Sequence, residues 1–536
     1  MAKIGVELTP NDKYLAESTL IIMAHFPQPR TVHIVLAVAA ITLVIGIGAP
    51  ALAASAGGAG ASAAPTGVDS CTTITEPGEY VLTTDIKDST EETCIEIESS
   101  DVIFDGTGHT IDGVGNNDTN GVSARGSDNL LTNVTTVGLI LTDWEEGIDY
   151  GRVDNGNVLN NIVPSGISLS LAENNSVSNN TGSVDLAESD NNTVSNNAPG
   201  GVSLFDADDN RIVNNSAIDT QSDGFSLSAL SSGNVLRENT ARGNDGVGIS
   251  VGNSFGARLI DNTVTNNDGS GIDVSERTGH TLLRNTVKRN GGGGILFEVG
   301  GGTVQNNTVR NNEGRGIVIT NLGFSVVSNN VINGNDDDGI ELSGPTRENE
   351  LRANVISANG GAGINFNGGG PSNNTIVNNY VYDDEPISYP NLDENMWNVS
   401  QTAGMNILDG SVIGGNYYGS PDTTGYSQTC DDTDNDEICD NPNDFDVNDD
   451  NTDFLPLADN GQPAPVAGGR LPSDLNSDRL YEDVNGDGSF DIVDVQALFA
   501  GQEKIANRGD GLAFDFNGDG RFDIVDVQRL FVILTE

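Results

Sequence analysis

Two copies of an oxygen-rich loop lie near the C-terminus of the chain. Residues 490–499 and 522–531 are identical at nine of ten positions, and each copy closes a twelve-residue loop that begins with Asp. The residues at loop positions 1, 3, 5, 7, 9 and 12 are Asp483, Asn485, Asp487, Ser489, Asp491 and Asp494 in the first loop, and Asp515, Asn517, Asp519, Arg521, Asp523 and Asp526 in the second. Gly488 and Gly520 stand at position 6, where the backbone must turn sharply. Carboxylate and amide oxygens at this spacing, with the backbone carbonyl at position 7, predict two calcium sites.

The residues around these loops differ from those of an ordinary EF-hand. Position 12 is Asp rather than Glu, and each loop is followed by one apolar helical pattern without a regular helix before it. This arrangement resembles a type I dockerin, which implies calcium as the cofactor and a cohesin-like protein as the partner. Many dockerins carry hydroxyl residues at positions 10 and 11, where this chain has Ile492-Val493 and Ile524-Val525. An intramolecular cap stabilised by calcium is the alternative, because calcium binding would couple to folding in either case.

The charge of the chain is strongly negative. The net charge is −54 over 536 residues, whereas charged residues make up only 19% of the chain. A charge of this sign excludes nucleic acid as a natural partner, because phosphate binding needs basic residues. The apolar positions recur periodically, so a folded surface coated with carboxylates is favoured over disorder. We therefore expect a halophilic protein, whose surface repulsion is screened at molar salt.

An apolar run at residues 32–48 is typical of a secretory signal. Cleavage is predicted after Ala53, with Met23 as the true start, and an uncleaved anchor is the alternative. The mature chain is expected to be extracellular, either secreted or attached to the cell surface, without a membrane span. Its four cysteines fall into two local pairs, Cys71–Cys94 and Cys430–Cys439, and an even number in an exported chain favours disulfides over a metal site.

A repeat of about 23 residues occupies the chain between about residues 100 and 400. The first Asn of each unit falls at Asn192, Asn215, Asn239, Asn262, Asn285, Asn307, Asn330 and Asn354. Alternation within a unit places Ile249 and Val251 inward and Ser250 outward. Short strands at this period predict an all-β parallel solenoid of roughly thirteen coils, in which each coil buries its apolar face by stacking on its neighbours and aligned Asn side chains hydrogen-bond along the stack.

The repeat resembles the right-handed parallel β-helix repeats of the carbohydrate-binding and sugar-hydrolase group. The opening segment, residues 71–113, is similar to the first coils of secreted β-helix proteins, notably those of halophilic archaea, and the segment 414–419 is similar to the terminus of NosD-like proteins. An aspartate run that follows predicts a further calcium site at Asp432, Asp434, Asp436 and Asp440. NosD-like proteins are maturation factors of nitrous oxide reductase, so this similarity raises a copper function. That function is disfavoured, because the chain lacks the clustered His, Met or thiolate that a soft metal needs.

Three functions are open for the β-helix. The leading hypothesis is binding of a polysaccharide or a glycosylated surface, the second is a polysaccharide lyase or glycoside hydrolase, and the third is a structural or adhesive rod, since the fold alone decides none of them. The weak catalytic candidates are carboxylates in one corner column, Asp245, Asp268, Glu313 and Asp336. Stacked carboxylates could bind calcium or act as an acid–base pair, and a solvated corner is the alternative.

Aromatic residues are concentrated near the end of the repeat, in a chain otherwise poor in them. They are Tyr380, Tyr382, Tyr389, Trp397, Tyr417 and Tyr418. The cluster could provide glycan contacts by ring stacking, or it could cover the open hydrophobic end of the solenoid.

The domain boundaries follow from these patterns. We expect a signal peptide at residues 1–53, a flexible N-terminal segment at 54–68 and the β-helix with its N-terminal cap at 69–420. An acidic cysteine-paired calcium segment at 421–454, a flexible linker at 455–473 and a small α-helical dockerin-like module at 474–536 follow.

Overall fold

The computed structural model of the protein describes residues 64–535, except 127–129, 321–322, 369, 389–393, 446–450, 467–468, 477 and 507–509. The expected signal segment with Met23 and Ala53, and also Tyr389, lie outside the described residues. Within the described part of the chain, no helix is long and apolar enough to cross a bilayer.

The chain winds into a right-handed parallel β-helix, as the repeat predicts. Successive coils contribute short strands to three parallel sheets, in which each strand pairs with its counterpart about one coil later in the chain. The strands of sheet 1 are Thr66–Val68, Gly78–Leu82, Val102–Asp105, Thr135–Val137, Asn157–Leu159, Ser176–Ser178, Thr193–Ser195, Arg211–Val213, Val235–Arg237, Arg258–Ile260, Thr281–Leu283, Thr303–Gln305, Val326–Ser328, Glu350–Arg352 and Thr375–Val377.

Sheet 2 lies on a second face of the same coils. Its strands are Thr72–Ile74, Thr93–Ile97, Asn120–Arg125, Glu146–Gly151, Ile167–Ser170, Val184–Ala187, Val202–Phe205, Phe225–Ser228, Ile249–Gly252, Ile272–Ser275, Ile295–Glu298, Ile317–Thr320, Ile340–Ser343, Ile364–Asn367 and Ile387–Ser388. The strands of sheet 3 are Ser216–Ile218, Thr240–Arg242, Thr263–Thr265, Thr286–Lys288, Thr308–Arg310, Val331–Asn333, Val355–Ser357, Tyr380–Tyr382 and Tyr417–Gly419.

Short strand pairs flank these sheets. The parallel pairs are Thr110–Asp112 with Ile140–Thr142 and Leu131–Thr132 with Val153–Asp154, and the antiparallel pairs are Thr402–Ala403 with Val412–Ile413 and Asn443–Asp444 with Thr452–Asp453. The helices of the described chain are α1 (Tyr426–Thr429), α2 (Ile492–Ala506) and α3 (Ile524–Thr535), with a 3₁₀ turn at Gly511–Phe514.

The apolar core lies inside the coils, where alternation predicts it. Ile249 and Val251 are fully or almost fully buried, and Ser250 between them points outward. The same inward pair recurs in register in neighbouring coils, for example Ile272 and Val274. Burial of these residues requires the next coil, which is the reason that the stack stabilises the repeat as a whole.

Buried asparagines form ladders along the corners. The backbone N–H and the Nδ2 of Asn239 both donate to Oδ1 of Asn262, at 3.0 and 3.1 Å, and Nδ2 also donates to the Ile212 carbonyl at 2.9 Å. Because these side chains are about 1% exposed, the ladder satisfies polar groups that would otherwise be costly to bury. The expected hydrogen bonding of aligned Asn is confirmed.

The series of repeating asparagines predicted from the sequence is wrong at its first residue, because Asn192 and Asn215 belong to different ladders. Asn192 donates to Asn210, whereas Asn197 is the residue that donates to Asn215. The coils from Asn161 to Asn215 advance by only 17 to 19 residues, whereas later ones advance by 22 to 25, apart from the last step of 37. Sheet 3 begins at Ser216, because the longer coil has room for a third strand.

Both expected disulfides are present. Cys71 and Cys94 lie 4.4 Å apart between Cα atoms at the start of two paired strands of sheet 2, so the bond joins the first two coils. The second bond joins Cys430 and Cys439, which closes the acidic segment beyond the β-helix.

Candidate functional site

The two C-terminal loops have the same internal hydrogen bonds. In the first loop, Asp483 accepts from the backbone N–H groups of Asp487 and Gly488 at 3.0 and 2.8 Å, and Asp494 accepts from Asn485 and Asp491 at 3.1 and 2.7 Å. The backbone therefore curls around the carboxylates of positions 1 and 12.

The second loop repeats each of these bonds. Asp515 accepts from Asp519 and Gly520 at 3.1 and 2.7 Å, and Asp526 accepts from Asn517 and Asp523 at 3.1 and 2.8 Å. At position 6, Gly488 and Gly520 have φ of +88° and +82°, a conformation that favours glycine.

The charge distribution of the loops fits a calcium ion. Asp483, Asp494 and Asp526 are fully buried, and burial raises the pKa of Asp494 and Asp526 above the ordinary value. Several carboxylates buried together repel one another unless a cation lies between them. The donor set consists of oxygen atoms, as calcium requires. These residues would hold the ion, and its charge would lower the free energy of the folded loop.

Exposed apolar pairs follow each loop at positions 10 and 11. Ile492 and Val493 are 45% and 47% exposed, and Ile524 and Val525 are 41% and 46% exposed. These residues begin α2 and α3, so the pseudo-symmetry of the module presents the same apolar pair twice.

The first half of this module borders the side of the β-helix. A cleft of about 420 Å³ is lined by Arg310 and Val331 of sheet 3 and by Asp487, Val493 and Gln496 of the module, among others. Val493 therefore faces the cleft, although it is partly exposed. The two apolar pairs, equivalent within the module, differ in their surroundings.

Residues 455–466 pack at both of their ends, which differs from the expected flexible linker. Leu457 is fully buried against the end of sheet 3, in a cluster with Tyr380 and Tyr417. Val466 is 2% exposed in the core of the C-terminal module, and the Ala464 N–H donates to Asp510 at 2.9 Å. The Pro- and Gly-rich composition indicated a solvated tether, but the apolar residues within it find partners on both sides.

The acidic segment brings three of its four predicted ligands together. Carboxylate oxygens of Asp432, Asp434 and Asp440 lie within 4.8 Å of one another. The fourth, Asp436, accepts from Gln401 Nε2 at 3.1 Å. The negative charge of Asp436 is the main cause that raises the pKa of Asp434 above its ordinary value. Calcium at this loop stays a prediction, and its residues are arranged so that a cation would relieve their repulsion.

The predicted aromatic glycan platform is wrong for the residues that the structure describes. Tyr380, Trp397, Tyr417 and Tyr418 are 1–2% exposed, and Tyr382 is 9% exposed. Tyr380 and Tyr417 stack at 4.7 Å between ring centroids inside the apolar cluster at the end of sheet 3. Ring stacking on a sugar needs an accessible face, so these rings instead cover the open end of the solenoid.

The corner column of carboxylates is solvent-exposed. Each of the four residues donates its backbone N–H to a carbonyl of the preceding coil, at 2.8 to 3.0 Å; they are Asp245, Asp268, Glu313 and Asp336. These bonds place the residues one above another, with Gly291 between Asp268 and Glu313. Their catalytic assignment stays a prediction, and their exposure favours the solvated corner.

The outer face of sheet 2 carries a feature that the repeat pattern alone does not predict. Ser203, Ser226 and Ser250 lie in one outward column in consecutive coils, and Phe205 projects from the next column, between Ala187 and Ser228. Phe205 is 56% exposed on a strand of the sheet. We call Phe205 with these four serines the serine face. Its signal in the sequence was a bulky residue at an outward position whose neighbours one coil away are small.

Carboxyl groups border the serine face along the first column. Asp185 and Asp273 stand at its two ends, and burial raises the pKa of each above the ordinary value. They are four coils apart, about 19 Å at the strand spacing of a sheet. That distance exceeds the roughly 5 to 9.5 Å between the carboxyls of a glycosidase pair, so these two groups cannot act together on one bond.

Arginine pairs occupy the outer face beyond these carboxyls. Arg125 Nε lies 2.5 Å from Asp149 Oδ2, and the Asp149 side chain is about 1% exposed. At the other end, Arg315 pairs with the buried Glu341. Both carboxylates are neutralised within the protein, which favours a structural function for them.

The chain matches two family descriptions. Residues 182–287 and 248–416 match the family described as the right handed beta helix region, and residues 481–534 match the dockerin type I domain. No curated protein sequence matches significantly.

Several solved structures are similar to part of this chain at low sequence identity. The A-module of the Azotobacter vinelandii mannuronan C-5 epimerase AlgE4 is 16% identical over 54% of this chain and 81% of its own, with a TM-score of 0.31. The corresponding values are 15%, 54%, 75% and 0.36 for a periplasmic alginate epimerase, AlgG, and 12%, 54%, 80% and 0.33 for the alginate lyase AlyF-OU02. Similarity at this level carries no inference about this chain.

Proposed function

Because the chain is a right-handed β-helix protein with a C-terminal type I dockerin domain, we propose that it is an exported protein that binds polysaccharide or surface glycan and attaches to a cohesin-like partner in the presence of calcium. Export is supported by the two disulfides, which persist in oxidising compartments. The proposed attachment to a cohesin-like partner is supported mainly by the repeated calcium loop and the exposed apolar pair that follows it.

The partner binds mainly through the second half of the module. Ile524 and Val525 begin α3, whereas Val493 of the first half faces the cleft beside Arg310 and Val331. An apolar contact in place of the usual hydroxyl residues selects a cohesin-like module with an apolar patch, since buried hydroxyl partners on the cohesin would be left unpaired.

A panel of purified type I cohesin modules tests this attachment with the full chain at saturating calcium. We expect Ile524→Ser with Val525→Ser to weaken binding at least ten-fold. The matched control is Ile492→Ser with Val493→Ser in the first half, which should weaken binding much less. If no cohesin binds, or if chelation of calcium leaves binding unchanged, the module is an intramolecular cap instead.

The glycan is proposed to bind at the serine face. Four hydroxyls offer donors and acceptors to sugar hydroxyl groups, and the exposed Phe205 ring offers a flat apolar surface for stacking. The net charge of −54 favours a neutral polysaccharide over a polyanion. The distance between Asp185 and Asp273 favours binding over hydrolysis at this face.

A binding assay on insoluble and arrayed polysaccharides in multi-molar KCl tests this site. Phe205→Ala should remove a stacking contribution of about 1 kcal/mol, about a five-fold loss of affinity. Phe324→Ala is the matched control, because Phe324 is also exposed, at 65%, and lies outside the serine face. Equal effects of the two substitutions would contradict the site, and absence of any glycan binding would favour the structural rod.

The same polysaccharides test the enzyme alternative. If the intact chain releases sugar fragments, and Asp245→Asn with Asp268→Asn abolishes the release but not the binding, the protein is an enzyme and the corner column is its active site.

A further inference from the structure

A third acidic loop immediately precedes the first of the two calcium loops. Carboxylate oxygens of Asp474, Asp478 and Glu482 lie within 4.8 Å of one another. The spacing of Asp474, Asn476 and Asp478 is the same as that of Asp483, Asn485 and Asp487, at positions 1, 3 and 5 of the first calcium loop.

The backbone of this loop follows that of the first calcium loop. Asp474 accepts from the N–H groups of Asp478 and Arg479, at 3.2 and 2.6 Å, as Asp483 accepts from residues four and five positions further on. Arg479 has φ of +74° at the position that corresponds to Gly488, with φ of +88°. Arg479 thus adopts the left-handed conformation that Gly488 adopts at position 6 of the first calcium loop.

Glu482 supplies an independent indication of a ligand. Its side chain reaches into the loop, where Oε1 accepts from Asn476 Nδ2. Glu482 is only 7% exposed, and Oε2 has no hydrogen-bond partner among the described residues. A buried carboxylate oxygen without a partner costs free energy, which a bound cation would recover.

The two loops are joined end to end. Ser473 and Asp483 exchange backbone hydrogen bonds, at 2.9 and 3.3 Å, and thereby close the third loop. Asp483 is also position 1 of the first calcium loop, so Glu482 and Asp483 point into neighbouring loops as consecutive residues.

We propose that a third calcium site lies in this loop, with the side chains of Asp474, Asn476, Asp478 and Glu482 and the carbonyl of Leu480 as ligands. The donors are all oxygen atoms, which a hard divalent cation prefers, and calcium accepts a less regular arrangement of oxygen ligands than magnesium does. Calcium bound there also fixes the start of the first calcium loop, because Asp483 closes the third loop through its backbone.

The number of bound calcium ions tests the site. The full chain is stripped with a chelator, equilibrated with excess calcium in multi-molar KCl, and assayed for bound calcium by elemental analysis. Glu482→Gln, which keeps the shape of the side chain and removes its charge, should bind one calcium fewer per chain than the wild type. Glu503→Gln, at an exposed position of α2, should bind the wild-type number.

A second substitution tests the site in case Glu482→Gln, at a buried position, fails to fold. Asp478 is exposed, and Asp478→Asn keeps the Oδ1 that accepts from the Leu480 N–H at 2.8 Å. This variant should also bind one calcium fewer. If both variants bind the wild-type number, the third site does not exist. Asp487→Asn should lower the number through the first calcium loop, and a failure there would contradict the calcium-dependent attachment instead.

Discussion

Asp383 is expected to destabilise the protein as the pH rises. It is fully buried, and it ends the ladder of asparagines that runs through Asn335 and Asn359. Its Oδ1 accepts from the Asn359 N–H at 2.6 Å, where every earlier rung has an amide oxygen. Burial raises its pKa from the ordinary 3.8 to about 7, against the lowering effect of the Asn359 hydrogen bonds, and the nearby Asp384 adds a small raising effect.

The sign and size of the effect follow from this shift. The folded protein holds Asp383 protonated up to about pH 7, whereas the unfolded chain releases the proton near pH 3.8. The titration of Asp383 therefore costs no free energy of unfolding below pH 3.8, where both states hold the proton. The free energy of unfolding then falls as the pH rises from 3.8 to 7. At about 1.4 kcal/mol per pKa unit, the loss is about 2 kcal/mol at pH 5.5 and about 4 kcal/mol at pH 8.

The substitution Asp383→Asn should remove this loss. An asparagine stays neutral and supplies the same accepting oxygen to Asn359, so it continues the ladder. For a unit of this size, with an unfolding entropy of roughly 1 kcal/mol per degree, the melting temperature should rise by about 4 °C at pH 8 and about 2 °C at pH 5.5.

Thermal unfolding at fixed calcium and fixed multi-molar KCl measures these shifts. Asp336→Asn is the matched control, because it removes the same charge from an exposed corner of a neighbouring coil. Asn359→Asp should act in the opposite direction at pH 8, because it buries a second carboxylate. The reasoning is refuted if Asp383→Asn melts no higher than the wild type at pH 8, or if the difference does not shrink at pH 5.5.

Three further outcomes are expected. Chelation of calcium should deprotect the amides of α2 and α3 in hydrogen exchange, and Asp483→Ala with Asp515→Ala should reproduce this, because the loop carboxylates repel without the cation; unchanged protection would contradict calcium-dependent folding. The melting temperature should be higher in multi-molar than in tenth-molar KCl, since screening of the charge of −54 is weak at low salt; equal values would contradict the halophilic expectation. The backbone N–H and the Nδ2 of Asn262 both donate to Asn285 Oδ1. Asn285→Ala should therefore lower the free energy of unfolding by about 1–3 kcal/mol for each of these donors that is left unpaired. The melting temperature measures this loss.

The sequence by itself determined the features that depend on local spacing. Strand alternation defined the inward residues such as Ile249 and Val251, and the recurring Asn defined the stacking of coils from Asn215 onward. The calcium loops were readable because their ligands lie within twelve consecutive residues. Cys71 and Cys94 could be paired because they are one coil apart. In each case the relevant contact is fixed by the repeat or by the loop itself.

Only the tertiary structure decided which residues are buried beyond the repeat. Tyr380 and Tyr417 are enclosed because the chain returns after residue 455 and packs Leu457 over the end of sheet 3. Asp383 is buried as the last rung of a ladder, and Glu482 is buried where two loops meet. Phe205 stays exposed because its neighbours one coil away are Ala187 and Ser228. Burial of these side chains depends on segments that are distant in sequence, and no local periodicity encodes that packing.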